Sequence, residues 1–288
     1  MKKSVGAGIW FQGARPRTWG AAIAPVVVGS ALAAAMSAFD FTLALLALFV
    51  ALGLQIGVNY ANDYSDGVRG TDTKRVGPVR LVGQGLATAQ AVKAAAFVAF
   101  SFASIAWLVL STASRQFWLI PTGLVALLAA WFYTGGKRPY GYRGFGEVVA
   151  FLFFGPIAVL GTLVTQLGRF ELSGVWAGVG LGCFAASLLL INNIRDVPTD
   201  SKNAKNTLAV RVGIKNARAI YLMLLVAPFI CLVPLAGLLG NGAFLGLVGA
   251  PLALLAYRVS DPVRALGLTS LAELVFALTF SIGVLALG

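Results

Sequence analysis

The amino-acid sequence predicts an all-α membrane protein: one bundle of nine transmembrane helices, with the N-terminus in the cytoplasm and the C-terminus outside. Of its 288 residues, 59% are hydrophobic and only 11% are charged, whereas a soluble domain carries roughly 25% charged residues. Charge-free intervals long enough to span a bilayer, about 20 residues each, recur along the chain. The positive charges fall almost entirely between alternate intervals. Together these observations exclude a soluble globular enzyme.

The predicted helices form one integral-membrane domain that covers residues 1–288. Each charge-free interval accommodates one helix, except 219–257, which is twice the necessary length. Asn241-Gly242 lies near the middle of that interval and indicates a turn, so the interval is divided into two helices. The nine helices are predicted at residues 18–39, 41–62, 90–112, 116–135, 147–168, 172–194, 217–239, 242–257 and 265–287.

The positions of the basic residues predict the orientation of the bundle. With the N-terminus inside, every Lys and Arg except Arg115 and Arg169 falls on the cytoplasmic side, which is 20 of 22. Cytoplasmic loops of membrane proteins are enriched in these residues. The net charge of +12 is therefore an orientation signal, and no nucleic-acid partner is expected. Because the inner connections are long and polar, we expect the functional groups on the cytoplasmic face.

Two halves of the chain are related. Asn59 and Asp63 recur as Asn192 and Asp196, both at an offset of 133 residues. Each copy follows an even-numbered predicted helix. The bundle is therefore predicted to consist of two related four-helix halves plus one extra helix.

The acidic residues are concentrated in two clusters. Asn59, Asn62, Asp63 and Asp66 are spaced to share one helix face, and so are Asn192, Asp196 and Asp200. The chain has no histidine, so acid, base and metal chemistry depends on other groups, and oxygen ligands favour Mg²⁺. The predicted catalytic residues are Asp66, Asp196, Asp200, Asn62 and Asp63. The predicted metal ligands are the same five residues together with Asp72.

A simpler interpretation is that these acids pair with nearby Lys and Arg at the membrane surface. That interpretation does not explain why two acidic faces occupy equivalent places in two half-repeats. It applies more readily to Asp72, which follows Gly70 on a predicted loop. Glu273, a carboxylate inside the last predicted helix, is a functional candidate by position, although a partner on a neighbouring helix is the more ordinary explanation.

Basic, amide and aromatic residues near the clusters are suited to bind an anionic substrate. Arg and Lys neutralise phosphate groups, and Arg does so with two parallel hydrogen bonds. Orientation alone also accounts for any single basic residue in these loops. The predicted substrate-binding residues are Asn59, Arg69, Arg80, Tyr133, Lys137, Arg138, Tyr140, Arg143, Asn192, Asn193, Lys205 and Arg17.

Seven motifs stand out along the chain: Arg15-Pro-Arg-Thr18, Asn62-Asp-Tyr-Ser-Asp-Gly-Val-Arg-Gly-Thr-Asp72, Gly77-Pro-Val-Arg-Leu-Val82, Tyr133-Thr-Gly-Gly136, Arg138-Pro-Tyr-Gly-Tyr-Arg-Gly144, Asn192-Asn-Ile-Arg-Asp196 and Lys205-Asn-Thr-Leu208. They resemble those of one known family, the UbiA-type intramembrane aromatic prenyltransferases, and within it the menaquinone branch. The resemblance extends from about residue 15 to the last helix. One position departs from the broader family pattern, in which another Asp often lies four residues after Asp66, where this chain has Gly70.

The resemblance implies a polyprenyl diphosphate and 1,4-dihydroxy-2-naphthoate as substrates, and two Mg²⁺ ions that bridge the diphosphate. One ion would be held by Asn62, Asp63 and Asp66, and the other by Asp196 and Asp200. Ionisation of the diphosphate would give an allylic cation, and attack by the naphthoate ring with loss of CO₂ would give demethylmenaquinol. The implied location is a bacterial plasma membrane, with the active site facing the cytoplasm. Arg138, Arg143 and Arg17 all remain candidates for binding the aromatic carboxylate.

Two other functions remain open at this point. The first is a prenyltransferase of the same type that acts on another aromatic acceptor, such as a hydroxybenzoate or homogentisate. The second is a secondary transporter, suggested by the half-repeat and the intramembrane polar groups. A transporter would need polar residues near mid-span on both sides, whereas nearly all charge here lies at one end of the helices.

Overall fold

A computed structural model describes residues 6–70, 79–203 and 205–287 of the chain, and within these ranges all regular structure is helical. Asp72 therefore lies outside the described residues. Short turns of other helix types connect the α-helices, including a π-turn at Phe153–Ile157 and 3₁₀ turns at Pro16–Thr18, Tyr140–Arg143, Ser201–Asn203 and Asn241–Gly249. The α-helices are α1 (Ala7–Gly13), α2 (Gly20–Ala35), α3 (Phe41–Arg69), α4 (Ala89–Ala113), α5 (Leu119–Phe132), α6 (Gly146–Leu152), α7 (Ala158–Leu167), α8 (Leu172–Asp200), α9 (Leu208–Ile230), α10 (Leu232–Leu239), α11 (Ala250–Arg258) and α12 (Pro262–Leu287).

The described helices confirm an all-helical membrane fold. Six of them are long and apolar enough to cross a bilayer, counting α6 with α7 and α9 with α10 as continuous rods. A seventh span arises if the bent pair Ala7–Thr18 and Gly20–Ala35, which meet at 54°, counts as one. α5 is apolar but shorter. The number nine, the orientation of the termini and the half-repeat remain predictions.

The structure corrects several predicted boundaries. α3 does not stop at residue 62 but continues to Arg69, where Gly70 ends it in a left-handed conformation with φ 74°. α8 likewise continues past residue 194 to Asp200. The predicted helix 242–257 is a 3₁₀ stretch followed by the short α11. Because α3 and α8 are each 29 residues long, both acidic clusters lie on helical extensions of apolar rods.

α8 is the central helix of the bundle. Of its apolar part, 72% is buried, compared with 28% of that of α3. Small residues allow this close packing, since a Cβ atom on Gly178 or Gly182 would collide with the backbone at Pro156 or Phe151. Gly-x-x-x-Gly spacing brings helices into backbone contact in membranes. α8 is thus held firmly against the α6–α7 rod, and its acidic end has a fixed position.

Asp63 ties the connection between α3 and α4 to the side of α3. Its carboxylate is fully buried and accepts the backbone N–H of Leu81 through Oδ2 at 2.8 Å and that of Val82 through Oδ1 at 3.0 Å. The next residue back, Arg80, is also buried, at 5% exposure. Both carboxylate oxygens of Asp63 therefore hold this loop against α3.

Replacing Asp63 with Asn should loosen this loop, because the amide nitrogen would face a backbone N–H instead of accepting from it. We expect backbone amides in residues 79–87 to exchange with deuterium about tenfold faster, the effect of losing one hydrogen bond to a charged group. Exchange measured by mass spectrometry on the purified protein tests this.

Asp40→Asn is the matched control, because Asp40 caps the other end of α3 through an exposed hydrogen bond to the Leu43 N–H that Asn also makes. If exchange in residues 79–87 stays unchanged in Asp63→Asn while Mg²⁺ binding weakens, Asp63 is instead a metal ligand, as the sequence predicts.

Candidate active site

A cavity of about 700 Å³ lies between α2, α3, α5, the α6–α7 rod and α8. One end is lined by polar side chains, and the rest is apolar. The polar lining consists of Arg15, Arg17, Thr18, Gln55, Asn59, Asn62, Tyr133, Tyr140 and Asn192, with Thr122, Thr162 and Thr165 further along. The apolar lining includes Val26, Val50, Leu54, Trp107, Leu110, Trp118, Val125, Phe153, Phe154, Leu160 and Phe170.

The acidic end of α3 lies one helical turn beyond the cavity. Asn62 lines the cavity, and its Oδ1 accepts a hydrogen bond of 2.8 Å from the Thr134 hydroxyl. Asp66, four residues later, is 3% exposed and accepts a hydrogen bond of 2.6 Å from the Tyr142 hydroxyl. Both predicted ligands are therefore held by residues from the connection between α5 and α6.

The acidic end of α8 is arranged in the same way as that of α3, except that its carboxylates pair with cations. Asn192 lines the cavity, and Asp196, one turn later, forms a two-pronged ion pair with Arg195 at 2.8 and 2.9 Å. The Asp200 carboxylate lies 3.7 Å from the Lys205 ammonium. Asp196 and Asp200 are 3% and 6% exposed. Buried carboxylates of this kind need nearby positive charge or donors to remain ionised.

Asn59 organises the polar end of the cavity. Its Nδ2 donates to the Ala14 carbonyl at 3.0 Å and to the Thr18 hydroxyl at 3.1 Å, which fixes the segment between α1 and α2 against α3. Within that segment Arg15 has a left-handed backbone, with φ 53°, an uncommon conformation for a residue other than glycine. The resulting bend brings both Arg15 and Arg17 to the cavity wall. Arg15 is a site residue that the sequence reasoning missed.

The basic residues divide into two groups: Arg69 and Arg80 lie by the end of α3, and Lys137, Arg138 and Arg143 lie on the exposed surface. Arg69 donates to the carbonyl oxygens of Thr134 and Gly136, so it fastens the α5–α6 connection to α3. The Arg80 side chain is buried beside the α3 end. Lys137, Arg138 and Arg143 are exposed and lie outside the cavity lining described above.

Two predicted aromatic residues lie side by side in the wall of the cavity. The rings of Tyr133 and Tyr140 are 5.6 Å apart, and both line the cavity. The Tyr140 hydroxyl donates to the Ala129 carbonyl at 2.8 Å. Burial raises the pKa of Tyr140, so the phenol remains neutral and keeps this bond.

Two other candidates point away from the cavity. Asn193 donates to the Glu147 carboxylate at 2.8 Å, a buried contact between α8 and α6. Glu273 is fully buried in α12, and within the described residues neither of its oxygens has a hydrogen-bond partner. Neither residue is among those that line the cavity.

The donor set fits Mg²⁺ held jointly with a substrate. Asn62, Asp66, Asp196 and Asp200 supply only oxygen atoms, the ligand type that Mg²⁺ prefers. Across the described ranges no three acidic side chains converge closely enough to form a metal cage by themselves. Mg²⁺ is typically bound by one or two carboxylates plus substrate phosphates, and this arrangement meets that requirement.

The sequence of this chain is similar to those of known proteins. Residues 22–286 match the UbiA prenyltransferase family. The 1,4-dihydroxy-2-naphthoate octaprenyltransferase of Mycobacterium tuberculosis is 49% identical, over 97% of each chain, and the Escherichia coli protein of that name is 38% identical, over 88% of this chain and 86% of that one.

Solved structures show the same fold. The apo UbiA homolog from Aeropyrum pernix K1 superposes with a TM-score of 0.73 at 17% identity, over 92% of this chain and 97% of that one. The UbiA homolog from Archaeoglobus fulgidus bound to DMAPP and Mg²⁺ gives 0.68 at 14% identity, over 97% and 99%. The matched family model spans nearly the whole chain, and the chain belongs to the UbiA prenyltransferase family.

Proposed function

We propose that this protein transfers a polyprenyl group from a polyprenyl diphosphate to 1,4-dihydroxy-2-naphthoate, with loss of diphosphate and CO₂, to give demethylmenaquinol for menaquinone biosynthesis. The observation that carries the proposal is one cavity with an apolar body and a polar mouth between two acidic helix ends. Such a cavity suits a molecule with a long hydrocarbon tail and an anionic head. The names of the relatives, which match over most of their length, supply the acceptor.

The two helix ends would hold the diphosphate. Asn62 and Asp66 on α3, and Asp196 and Asp200 on α8, are the residues that would bind Mg²⁺. When bound, Mg²⁺ would neutralise the diphosphate and so make it a better leaving group. Arg80 and Lys205, which lie beside the two ends, would add positive charge from the protein itself. Lys137 and Arg138 are exposed, so they would reach the diphosphate only from the solvent side.

The apolar part of the cavity would bind the isoprenoid tail and exclude water. Its walls are aromatic and aliphatic, with Trp107, Trp118 and Phe154 among them. Tyr133 and Tyr140, which line the cavity, would face the allylic carbon. Aromatic faces stabilise a nearby cation, and an allylic cation is the electrophile that the acceptor ring would attack. Water excluded from this region cannot capture that cation.

The naphthoate carboxylate would bind at the polar mouth. Of the three arginines predicted for this role, Arg17 lines the cavity, whereas Arg138 and Arg143 are exposed outside it. Asn59 lies on the same wall; its amide nitrogen already donates within the protein, so its Oδ1 would accept a hydrogen bond from a ring hydroxyl. We assign the binding of the naphthoate carboxylate to Arg17, and Arg15 lies beside it on the cavity wall.

The protein would lie in the plasma membrane of a bacterial cell, and its site would face the cytoplasm. Both acidic helix ends lead into connections that carry basic residues, and such connections are typically cytoplasmic. This orientation would also give the site direct access to the water-soluble acceptor and to Mg²⁺.

The purified protein in nanodiscs, supplied with Mg²⁺ and a polyprenyl diphosphate, should prenylate 1,4-dihydroxy-2-naphthoate and leave 4-hydroxybenzoate and homogentisate unchanged. Product mass spectrometry on the three acceptors measures this. Asp66→Asn and Asp196→Asn should each lower the rate by roughly 100-fold, the usual cost of removing one electrostatic group from a transition state.

Asp40→Asn, at the opposite end of α3, is the control for these two variants and should retain the full rate. Prenylation of 4-hydroxybenzoate or homogentisate in preference to the naphthoate would replace the proposed acceptor. Full activity in both site variants would remove the acidic clusters from the mechanism.

Arg17→Gln should raise the KM for the naphthoate by roughly tenfold, since it removes a charged hydrogen bond to the carboxylate, and should leave the KM for the polyprenyl diphosphate unchanged. Steady-state kinetics with each substrate varied in turn test this. Arg143→Gln, measured alongside, decides between the two candidates: a larger effect on the naphthoate KM there than in Arg17→Gln would reverse the assignment.

A further inference from the structure

Tyr142 contacts the acidic end of α3 and the segment that follows α8 from a third element, the connection between α5 and α6. It lies in the turn Tyr140–Arg143, and its hydroxyl donates to Oδ1 of Asp66 at 2.6 Å. Its backbone carbonyl accepts the Asn206 N–H at 3.0 Å, just beyond the end of α8. One residue thus bridges α3 and the segment that follows α8.

The Tyr142 ring also lies between two cations. The Arg69 guanidinium carbon is 5.2 Å from the ring centroid, and the Lys205 ammonium is at the same distance of 5.2 Å. Both distances are within the range of a cation–π interaction. Lys205 is at the same time 3.7 Å from the Asp200 carboxylate. The ring therefore fixes the cation that pairs with the second acidic cluster, while the hydroxyl fixes a carboxylate of the first.

The chemistry of this contact suits a ligand carboxylate. A hydrogen bond of 2.6 Å is in the range for O–H donation to an ionised carboxylate. A carboxylate offers about four lone-pair positions, so a carboxylate that accepts the phenol hydrogen can still coordinate a cation. A basic partner would orient the group equally well but would also neutralise its charge. The phenol of Tyr142 orients the Asp66 carboxylate without adding charge.

We propose that Tyr142 is a positioning residue that sets the Asp66 carboxylate and the Lys205 ammonium at a fixed separation, so that both acidic clusters bind a single Mg²⁺-diphosphate unit. This inference rests on the proposed function and deepens it. It predicts separate contributions from the two parts of the side chain: the hydroxyl acts on the metal through Asp66, and the ring acts on the diphosphate through Lys205.

The test measures binding without turnover. Mn²⁺ replaces Mg²⁺ and is detected by electron paramagnetic resonance, with inorganic pyrophosphate as the anion and the full-length protein in nanodiscs. Tyr142→Phe should weaken Mn²⁺ binding about tenfold, as expected for one hydrogen bond to a charged group. It should leave pyrophosphate affinity, measured at saturating Mn²⁺, nearly unchanged. Tyr142→Leu, which also removes the ring, should weaken both.

Tyr221→Phe is the matched control, because it removes the hydroxyl of a buried tyrosine that is hydrogen-bonded at 2.6 Å to Thr269, between α9 and α12. It should bind Mn²⁺ and pyrophosphate as the unaltered protein does. Unchanged Mn²⁺ affinity in Tyr142→Phe would overturn the inference, and so would an equal loss in Tyr221→Phe, which would indicate a general structural effect.

Kinetics separate this inference from the proposed function. In Tyr142→Phe the Mg²⁺ concentration for half-maximal rate should rise, while the KM for the naphthoate stays constant; a rise in both would contradict a positioning role. If the unaltered protein does not prenylate the naphthoate, and Tyr142→Phe still weakens Mn²⁺ binding, the proposed function fails and the role of Tyr142 stands.

Discussion

The structure depends on keeping three carboxylates buried at the ends of two helices. Asp66, Asp196 and Asp200 are between 3% and 6% exposed, and a buried charge is costly unless donors or opposite charges surround it. Each has such a partner: Tyr142 for Asp66, Arg195 for Asp196 and Lys205 for Asp200. A bound cation would be the strongest compensation of all. The acidic ends are thus arranged for a ligand that brings positive charge.

The remaining structure supports those two ends. Glycines let α8 pack against the backbone of the α6–α7 rod, which fixes its acidic end. α3 receives three attachments: Asp63 holds the loop before α4, Asn59 holds the segment before α2, and Arg69 holds the connection before α6. Between the two rods remains a cavity that is apolar except at its mouth. A lipid with an anionic head is the ligand that satisfies both parts.

The sequence predicts the general form of the protein and the composition of its site, because apolar length and charge position are strong signals. It does not predict which of two adjacent polar residues, Asn62 or Asp63, faces the cavity. The two side chains differ by about 100° around the helix, and Asp63 turns to the loop amides of Leu81 and Val82. Charged residues do not mark the ends of α3 and α8, because both helices continue through them. The sequence does not reveal Tyr142, because its contacts join segments far apart in the chain.

The central claim is that the ends of α3 and α8 form one site and not two. A double-mutant cycle measures this directly, with kcat/KM for the polyprenyl diphosphate determined in Asp66→Asn, Asp196→Asn and the combined variant. Residues that act as a unit are strongly non-additive, so the combined variant should be little slower than either single variant. Losses that multiply in the combined variant would show two independent sites and contradict the account.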